Sequence, residues 1–241
     1  MEGGGVARDP GGVARDPTRS AARADLDPTA GETAERRLAR AQFDGEAPIA
    51  TRPITADPGP LGLAGFAMTT CVLSVFNAGW LSDQGVPVVL GLALAYGGIA
   101  QLLAGMWEFR TGNTFGAVAF TSYGAFWISF WALEVFYAKD IKDPSLLGNS
   151  VGLYLLVWGF FTAYMFIASL RVSVAIMAVF GLLTLTFVLL GIGQLEASTS
   201  WTHAGGYAGI VTAFAAWYAS FAAVVNATFG RTLIPVIHLN R

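Results

Sequence analysis

Charged residues and cysteine are both scarce in this sequence. Of its 241 residues only 12% are charged and one is cysteine, whereas 54% are hydrophobic. So apolar a chain is atypical of a water-soluble domain and predicts a protein whose solvent is the lipid bilayer. The single cysteine, Cys71, excludes an intrachain disulfide, a redox pair of cysteines and a cysteine zinc cluster.

The patterns that mark enzymes and cofactor sites are also missing. The two histidines, His203 and His238, fall near opposite faces of the membrane, so neither a bis-histidine haem nor a histidine metal site is expected. No lysine or arginine lies well inside an apolar run, which removes the lysine that a retinal Schiff base needs. GxSxG, HExxH and a phosphate-binding Gly-Lys-Ser loop are absent. We therefore expect no enzyme, no cofactor, no metal and no nucleic-acid partner.

The charges that the chain does have are concentrated before the first apolar run. Residues 1 to 57 hold eight arginines and ten acidic residues, together with a tandem heptad, GGVARDP, at 4 to 10 and 11 to 17. Large apolar residues are rare here, so burial cannot offset the entropy of ordering the chain. We expect residues 1 to 56 to be a disordered tail, with at most a short helix around Glu35 to Arg40.

Six apolar runs follow, each long enough to cross roughly 30 Å of hydrocarbon as a helix. They cover residues 61 to 80, 86 to 108, 114 to 136, 148 to 170, 172 to 194 and 203 to 226. Arg171 must mark a turn, because the stretch from Leu147 to Gly193 would be on the order of 70 Å long as one helix. The sequence predicts an all-α integral membrane protein with a six-helix domain over residues 57 to 235 and a short C-terminus over 236 to 241.

Basic residues predict the orientation of these helices, since lysine and arginine near span ends are retained on the cytoplasmic side. Twelve of them fall on the side of the two termini, against only Lys139 and Lys142 on the other side. We expect both termini to be cytoplasmic and the protein to lie in the plasma or inner membrane. Aromatic residues near the expected span ends fit an interfacial belt; they are Trp80, Trp107, Trp131, Tyr137 and Trp201.

The first run carries a polar stripe. Phe66, Thr70, Leu73 and Asn77 recur at steps of four, three and four and therefore share one helix face. A stripe of hydrogen-bond donors beside an aromatic residue fits a polar pathway, although a hydroxyl in a membrane helix often bonds the backbone carbonyl four residues earlier instead. We expect the pathway to use Thr69, Thr70, Asn77, Gln101, Thr121, Ser122, Thr184 and Tyr218.

Two carboxylates fall within the apolar runs, near their ends. Ionisable residues in spans are costly and commonly functional, so Glu108 and Glu134 are candidates for proton coupling. The alternative for Glu108 is an interfacial ion pair with the nearby Arg110. Small residues four apart, as at Gly148 and Gly152, predict close packing between spans or between copies of the chain.

Longer motifs give the sequence a family resemblance. They are DPGPLGL at 57 to 63, GFAMTT at 65 to 70, YGGIAQ at 96 to 101, GNTFG at 112 to 116, AFTSYG at 119 to 124 and FGRT at 229 to 232. In this order they resemble the acetate uptake transporter family over roughly residues 57 to 235. The resemblance implies a six-helix protomer of a homo-hexamer, in which each protomer has its own pathway for acetate and related carboxylates.

The resemblance also assigns roles to individual positions. It implies a narrow ring formed by Phe66, Tyr123 and Leu183, and an entrance motif of Pro58, Pro60, Leu61, Gly62 and Leu63. Asp57 and Gly59 stand where the family usually has asparagine and alanine.

The expected function is therefore transmembrane transport of acetate and related small carboxylates, such as succinate, through a pore in each protomer. Three alternatives stay open. The protein could be a proton symporter of the same substrates, it could carry another small solute such as formate, urea or ammonia, or it could be a membrane acetate sensor that signals through its tail.

Overall fold

A computed structural model describes residues 55–239. The tail expected before residue 55, with its tandem repeat and the short helix around Glu35, lies outside the described residues. Within them the regular secondary structure is helical, apart from an isolated bridge between Ser173 and His238, and turns and irregular segments join the helices.

All six expected spans are confirmed as helices long and apolar enough to cross a membrane. They are α1 (Gly59–Asn77), α2 (Asp83–Thr111), α3 (Thr114–Asp140), α4 (Pro144–Ser169), α5 (Val174–Leu195) and α6 (Thr199–Phe229). The chain turns between α4 and α5 next to Arg171, as expected. We call the side at which α1 begins face 1 and the opposite side face 2.

Local side-chain contacts fix where the helices begin. The Asp57 carboxylate accepts the backbone N–H of Gly59 at 2.8 Å, so the acidic residue at this position can form the turn that opens α1. Asn113 accepts the N–H of Gly116 at 3.0 Å at the start of α3. Ser173 accepts the N–H of Ile176 at 3.2 Å at the start of α5.

Two spans contain a π-helical segment that hydrophobic periodicity does not predict. One covers Ala95–Ala100 in α2 and the other Leu133–Tyr137 in α3. A π-bulge inserts an extra residue into the turn and rotates the following side chains relative to those before it. The segment in α2 directly precedes Gln101, which lies in the interior with 1% of its surface exposed.

Glycines bring the helices into close contact. α1 packs along α6 and α2, α2 along α3, and α5 along both α4 and α6. A Cβ atom on Gly65 of α1 would lie 2.6 Å from the backbone oxygen of Tyr96 on α2. One on Gly152 of α4 would lie 3.1 Å from the backbone oxygen of Gly191 on α5. The expected close packing at small residues is therefore present within one chain.

Aromatic side chains fill the wider gap between α3 and α4. The ring centroids of Phe126 and Trp158 are 5.2 Å apart, and those of Tyr123 and Phe161 are 5.5 Å apart. On the outside the helices expose large apolar side chains, including Phe160 at 73%. Such a surface is suited to contact with lipid rather than water.

The C-terminal segment folds back across face 1. The side chain of Asn226 accepts the N–H groups of Leu233 and Ile234 at 2.7 and 3.0 Å and donates to the carbonyl of Ile234 at 2.8 Å. Further along, the carbonyl of Ile237 accepts the N–H of Val174 at 2.8 Å. The segment thereby connects the end of α6 to the start of α5.

Candidate functional site

Two cavities lie between the helices and meet in the middle of the protein. The wide cavity, of about 180 Å³, is lined by α1, α2, α3, α4 and α5 and extends to Asn77, Glu134 and Gln194 near face 2. The narrow cavity, of about 20 Å³, lies on the side of face 1. Phe66 and Leu183 line both cavities, so they form the partition between them.

The three residues of the expected ring lie together at this partition. Phe66, Tyr123 and Leu183 come from α1, α3 and α5, are at most 5% exposed, and all line the narrow cavity. The rings of Phe66 and Tyr123 are tilted by 54° with their centroids 5.8 Å apart. Since a water molecule needs about 10–15 Å³ of such space, the narrow cavity has room for one water and none for a larger solute. Passage of a solute therefore requires side-chain movement here.

The stripe expected on α1 faces the wide cavity. Phe66, Thr70, Leu73 and Asn77 all line it, so this face of α1 is directed at one space. Gln101, also expected in the pathway, lines the narrow cavity instead.

Several other residues expected in the pathway line neither of these two cavities. The hydroxyls of Thr69 and Thr184 donate to the backbone carbonyls four residues earlier, at 2.9 and 2.8 Å. Tyr218 is 44% exposed, and its hydroxyl donates to the carbonyl of Pro235 at 2.6 Å. These three hydroxyls therefore stabilise helices and the C-terminal segment in the observed conformation.

Thr121 and Ser122 also lie apart from these cavities, in the part of α3 that passes α2. The backbone and hydroxyl of Thr121 pack against Gly105 of α2. Ser122 is half-buried and lines neither cavity.

Four buried polar atoms have no hydrogen-bond partner among the described residues. They are Thr70 Oγ1, Gln101 Oε1, Thr121 Oγ1 and Trp127 Nε1. Three of the four residues line one of the two cavities. An unsatisfied polar atom in a membrane protein is costly, so their grouping around this space favours a route for a polar solute.

A buried carboxylate lies at face 1, beside the start of α1. Glu108 is 2% exposed, and the hydroxyl of Thr111 lies 3.0 Å both from its Oε2 and from its backbone oxygen. A Cβ atom on Gly116 would lie 2.8 Å from its carboxyl group, and one on Gly59 would lie 3.3 Å from its Oε1. The carboxylate therefore occupies space that two glycines leave at the start of α1 and α3.

The alternative predicted for Glu108, an ion pair with Arg110, is not found within residues 55–239; Arg110 is exposed, whereas Glu108 is buried. Of the rest of the entrance motif, Leu63 lines the narrow cavity and Gly62 packs against the ring of Phe120. The carbonyl of Pro60 accepts the Ser220 hydroxyl at 2.7 Å.

The second candidate for proton coupling, Glu134, lies at the opposite face. Glu134 is exposed near face 2 and lines the wide cavity. Within residues 55–239, no group of three histidine, cysteine, aspartate or glutamate side chains is close enough to hold a metal ion.

Sequence reasoning missed the contribution of α4. Tyr154 lines the wide cavity, and its hydroxyl lies 2.6 Å from the hydroxyl of Ser129 on α3. The hydroxyl of Thr162 lies within hydrogen-bond distance of the hydroxyl of Tyr123. Tyr154, Trp158 and Thr162 are spaced by four residues, so helical periodicity could have identified this face as one that turns inward.

Comparisons with known proteins agree in placing the chain in one family. The model of the GPR1/FUN34/yaaH family matches residues 41–241. Acetate permease A of Emericella nidulans is 41% identical over 197 residues, and Ammonia transport outward protein 2 of Saccharomyces cerevisiae is 45% identical over 178 residues. The alignments cover 76% and 71% of this chain, but only 66% and 62% of these two fungal relatives, which is less than two thirds of each.

Bacterial relatives match over nearly their whole length. The succinate-acetate/proton symporter SatP of Escherichia coli is 39% identical over 181 residues, which are 75% of this chain and 95% of that protein. A solved structure of the bacterial acetate channel SatP superposes with a TM-score of 0.70 at 39% identity, covering 76% of this chain and 99% of that one.

Proposed function

Since the chain belongs to the GPR1/FUN34/yaaH family, we propose that it transports acetate and related small carboxylates, such as succinate, across a membrane. The observation that carries this proposal is the meeting of two cavities at the buried partition of Phe66 and Leu183, beside Tyr123. The names of the relatives supply the substrate class. Transport requires no catalytic group.

The residues along the cavities account for how an anion could cross. A carboxylic acid with a pKa like that of glutamic acid, about 4.3, is almost entirely anionic at neutral pH. A bare anion in hydrocarbon would cost tens of kcal/mol, so polar side chains must replace its water. Thr70, Asn77 and Gln101 supply hydroxyl and amide donors along this route. Neutral donors hold an anion weakly enough to release it again, as conduction requires.

Uptake into proteoliposomes tests the proposal. We expect purified protein to raise the initial rate of radiolabelled acetate uptake above that of protein-free vesicles, and unlabelled succinate to compete. One fungal relative is named for ammonia transport, so formate, urea and ammonium belong in the same competition series. Acetate uptake equal to that of protein-free vesicles, together with protein-dependent uptake of one of these solutes, would contradict the proposal.

Glu108 is our candidate for coupling this transport to protons. Its carboxylate is buried. Within the described residues the partner of this carboxylate is a threonine hydroxyl and not a basic side chain. A buried charge without a cation is unstable, so uptake of a proton by Glu108 would be favourable during transport. Glu134, exposed at the opposite face, is the second candidate.

A proton gradient separates a symporter from a passive channel. If Glu108 couples the two fluxes, an inward proton gradient drives acetate above its equilibrium distribution, and Glu108→Gln keeps downhill uptake while it loses this accumulation. Glu196→Gln is the matched control, since Glu196 is exposed at face 2 and lines neither cavity. Accumulation that persists in Glu108→Gln would exclude Glu108 from coupling.

Orientation and assembly complete the proposal. The charge bias favours cytoplasmic termini in a plasma or inner membrane, and the family resemblance favours a homo-hexamer. The accessibility of terminal tags in intact and opened cells measures the orientation, and the mass of the detergent-purified particle measures the number of protomers. Deleting residues 1 to 56 tests the sensor alternative, because a transporter should keep its flux without them.

A further inference from the structure

The hydroxyl of Tyr123 is held by a residue of α4. It lies 2.9 Å from Oγ1 of Thr162, which in turn lies 2.7 Å from the backbone oxygen of Trp158. Thr162 has no exposed surface and Tyr123 only 3%. The pair therefore forms a buried connection between α3 and α4 directly behind the partition of the two cavities.

The directions of these two hydrogen bonds follow from the number of protons. A backbone carbonyl has no proton, so the contact of 2.7 Å requires that Thr162 donates to Trp158. The single proton of the threonine hydroxyl is then in use. Tyr123 must therefore donate its own hydroxyl proton to Thr162.

This assignment changes what Tyr123 offers to a passing solute. Its only hydroxyl proton points at α4, so the residue presents its ring to the narrow cavity rather than a donor. The ring is packed between Phe66 and Phe180, with centroids 5.8 and 6.0 Å away. At the partition the anion thus meets apolar surfaces, and Gln101 is the polar residue with unused hydrogen-bonding capacity beside them.

We propose that Thr162 is a positioning residue that determines size selectivity: by accepting the hydroxyl proton of Tyr123 it fixes that ring as an apolar wall of the constriction. This inference rests on the proposed transport of carboxylates. The competing view is that the Tyr123 hydroxyl binds the carboxylate directly, in which case Thr162 would only compete for its proton.

A double-mutant cycle distinguishes the two views, with the ratio of propionate to acetate uptake in proteoliposomes as its readout. Thr162→Val leaves the tyrosine hydroxyl without its acceptor, so the ring can shift and the ratio rises. The rise is at most about fivefold, which is reached if the whole free energy of one buried hydrogen bond is lost from the exclusion of propionate. In a Tyr123→Phe background there is no hydroxyl to hold. Thr162→Val should then change the ratio by no more than about twofold, the usual limit of additivity. Thr162→Ser keeps the acceptor and should keep the wild-type ratio.

Thr212→Val is the control for a loss of stability. Thr212 is equally buried, donates to the carbonyl four residues earlier at 2.8 Å, and lies 3.3 Å from the hydroxyl of Thr186. Since Thr186 also donates within its own helix, neither hydroxyl has a proton for the other. Thr212→Val should therefore leave the uptake ratio unchanged.

Two results would overturn the inference while the wild-type protein still transports acetate. One is an equal rise of the ratio on Thr162→Val in the wild-type and Tyr123→Phe backgrounds. The other is a wild-type ratio in Thr162→Val protein that folds and transports. Absence of acetate uptake by the wild-type protein would instead contradict the proposed function.

Discussion

Replacing Leu183 by alanine should relax size selectivity, because this side chain separates the two cavities. Leu183 is 4% exposed and lines both the wide cavity of about 180 Å³ and the narrow one of about 20 Å³. Alanine removes three carbon atoms and joins the two spaces. A single methylene in an apolar site is worth about 1–3 kcal/mol of discrimination, or 10- to 200-fold.

We therefore expect Leu183→Ala to raise the ratio of propionate to acetate uptake by about tenfold. This is the lower end of the range for one methylene, because neighbouring aromatic side chains can partly collapse into the new space. The assay is the initial uptake rate of each radiolabelled acid into proteoliposomes with equal amounts of protein. The same substitution should destabilise the fold by about 2–5 kcal/mol if the site cannot collapse. Thermal unfolding in detergent measures that change.

Leu185→Ala is the matched control. Leu185 lies on the same helix but is 48% exposed on the outer surface, so its truncation should leave the uptake ratio unchanged. A ratio unaffected by Leu183→Ala, or raised equally by Leu185→Ala, would refute the assignment of Leu183 to the constriction.

Two further predictions concern packing. Gly65→Ala should lower stability by about 1–3 kcal/mol, because the new Cβ would lie 2.6 Å from the backbone oxygen of Tyr96. Gly91→Ala meets nothing within 4 Å, so it should not lower the temperature of thermal unfolding. Asn226→Ala removes three hydrogen bonds to the C-terminal segment, each worth about 1 kcal/mol. Hydrogen exchange at the Leu233 amide should then accelerate at least about tenfold; unchanged exchange would show that other contacts hold the segment.

Hydropathy predicted all six helices, because a long apolar segment that crosses hydrocarbon as a helix pairs its backbone N–H and C=O groups internally. It predicted the ends of the helices less well. α1 begins two residues before its expected start, where Asp57 and the prolines open the helix. α3 continues four residues past its expected end through π and 3₁₀ turns that keep polar residues helical. Such turns depend on local hydrogen bonds, which a hydropathy window does not register.

The site was predicted in part. Periodicity placed Phe66, Thr70, Leu73 and Asn77 on one face, and the structure directs that face at the wide cavity. Hydroxyls elsewhere were ambiguous, because a threonine in a helix can bond its own backbone or a neighbour. The hydroxyl of Thr184 bonds only the backbone of its own helix. The hydroxyl of Thr162 bonds its own backbone and also the hydroxyl of Tyr123 on α3. Only the packing of α4 against α3 separates these cases.

Acetate uptake after the narrow cavity has been filled shows whether solutes cross at the partition. Ala119 is 2% exposed and lines this cavity, whereas Ala125 is exposed on the same helix. If carboxylates pass between the two cavities, Ala119→Leu should lower acetate uptake to the level of protein-free vesicles, and Ala125→Leu should keep wild-type uptake. Wild-type uptake by folded Ala119→Leu protein would contradict passage through the narrow cavity, because the solute would then cross by another route.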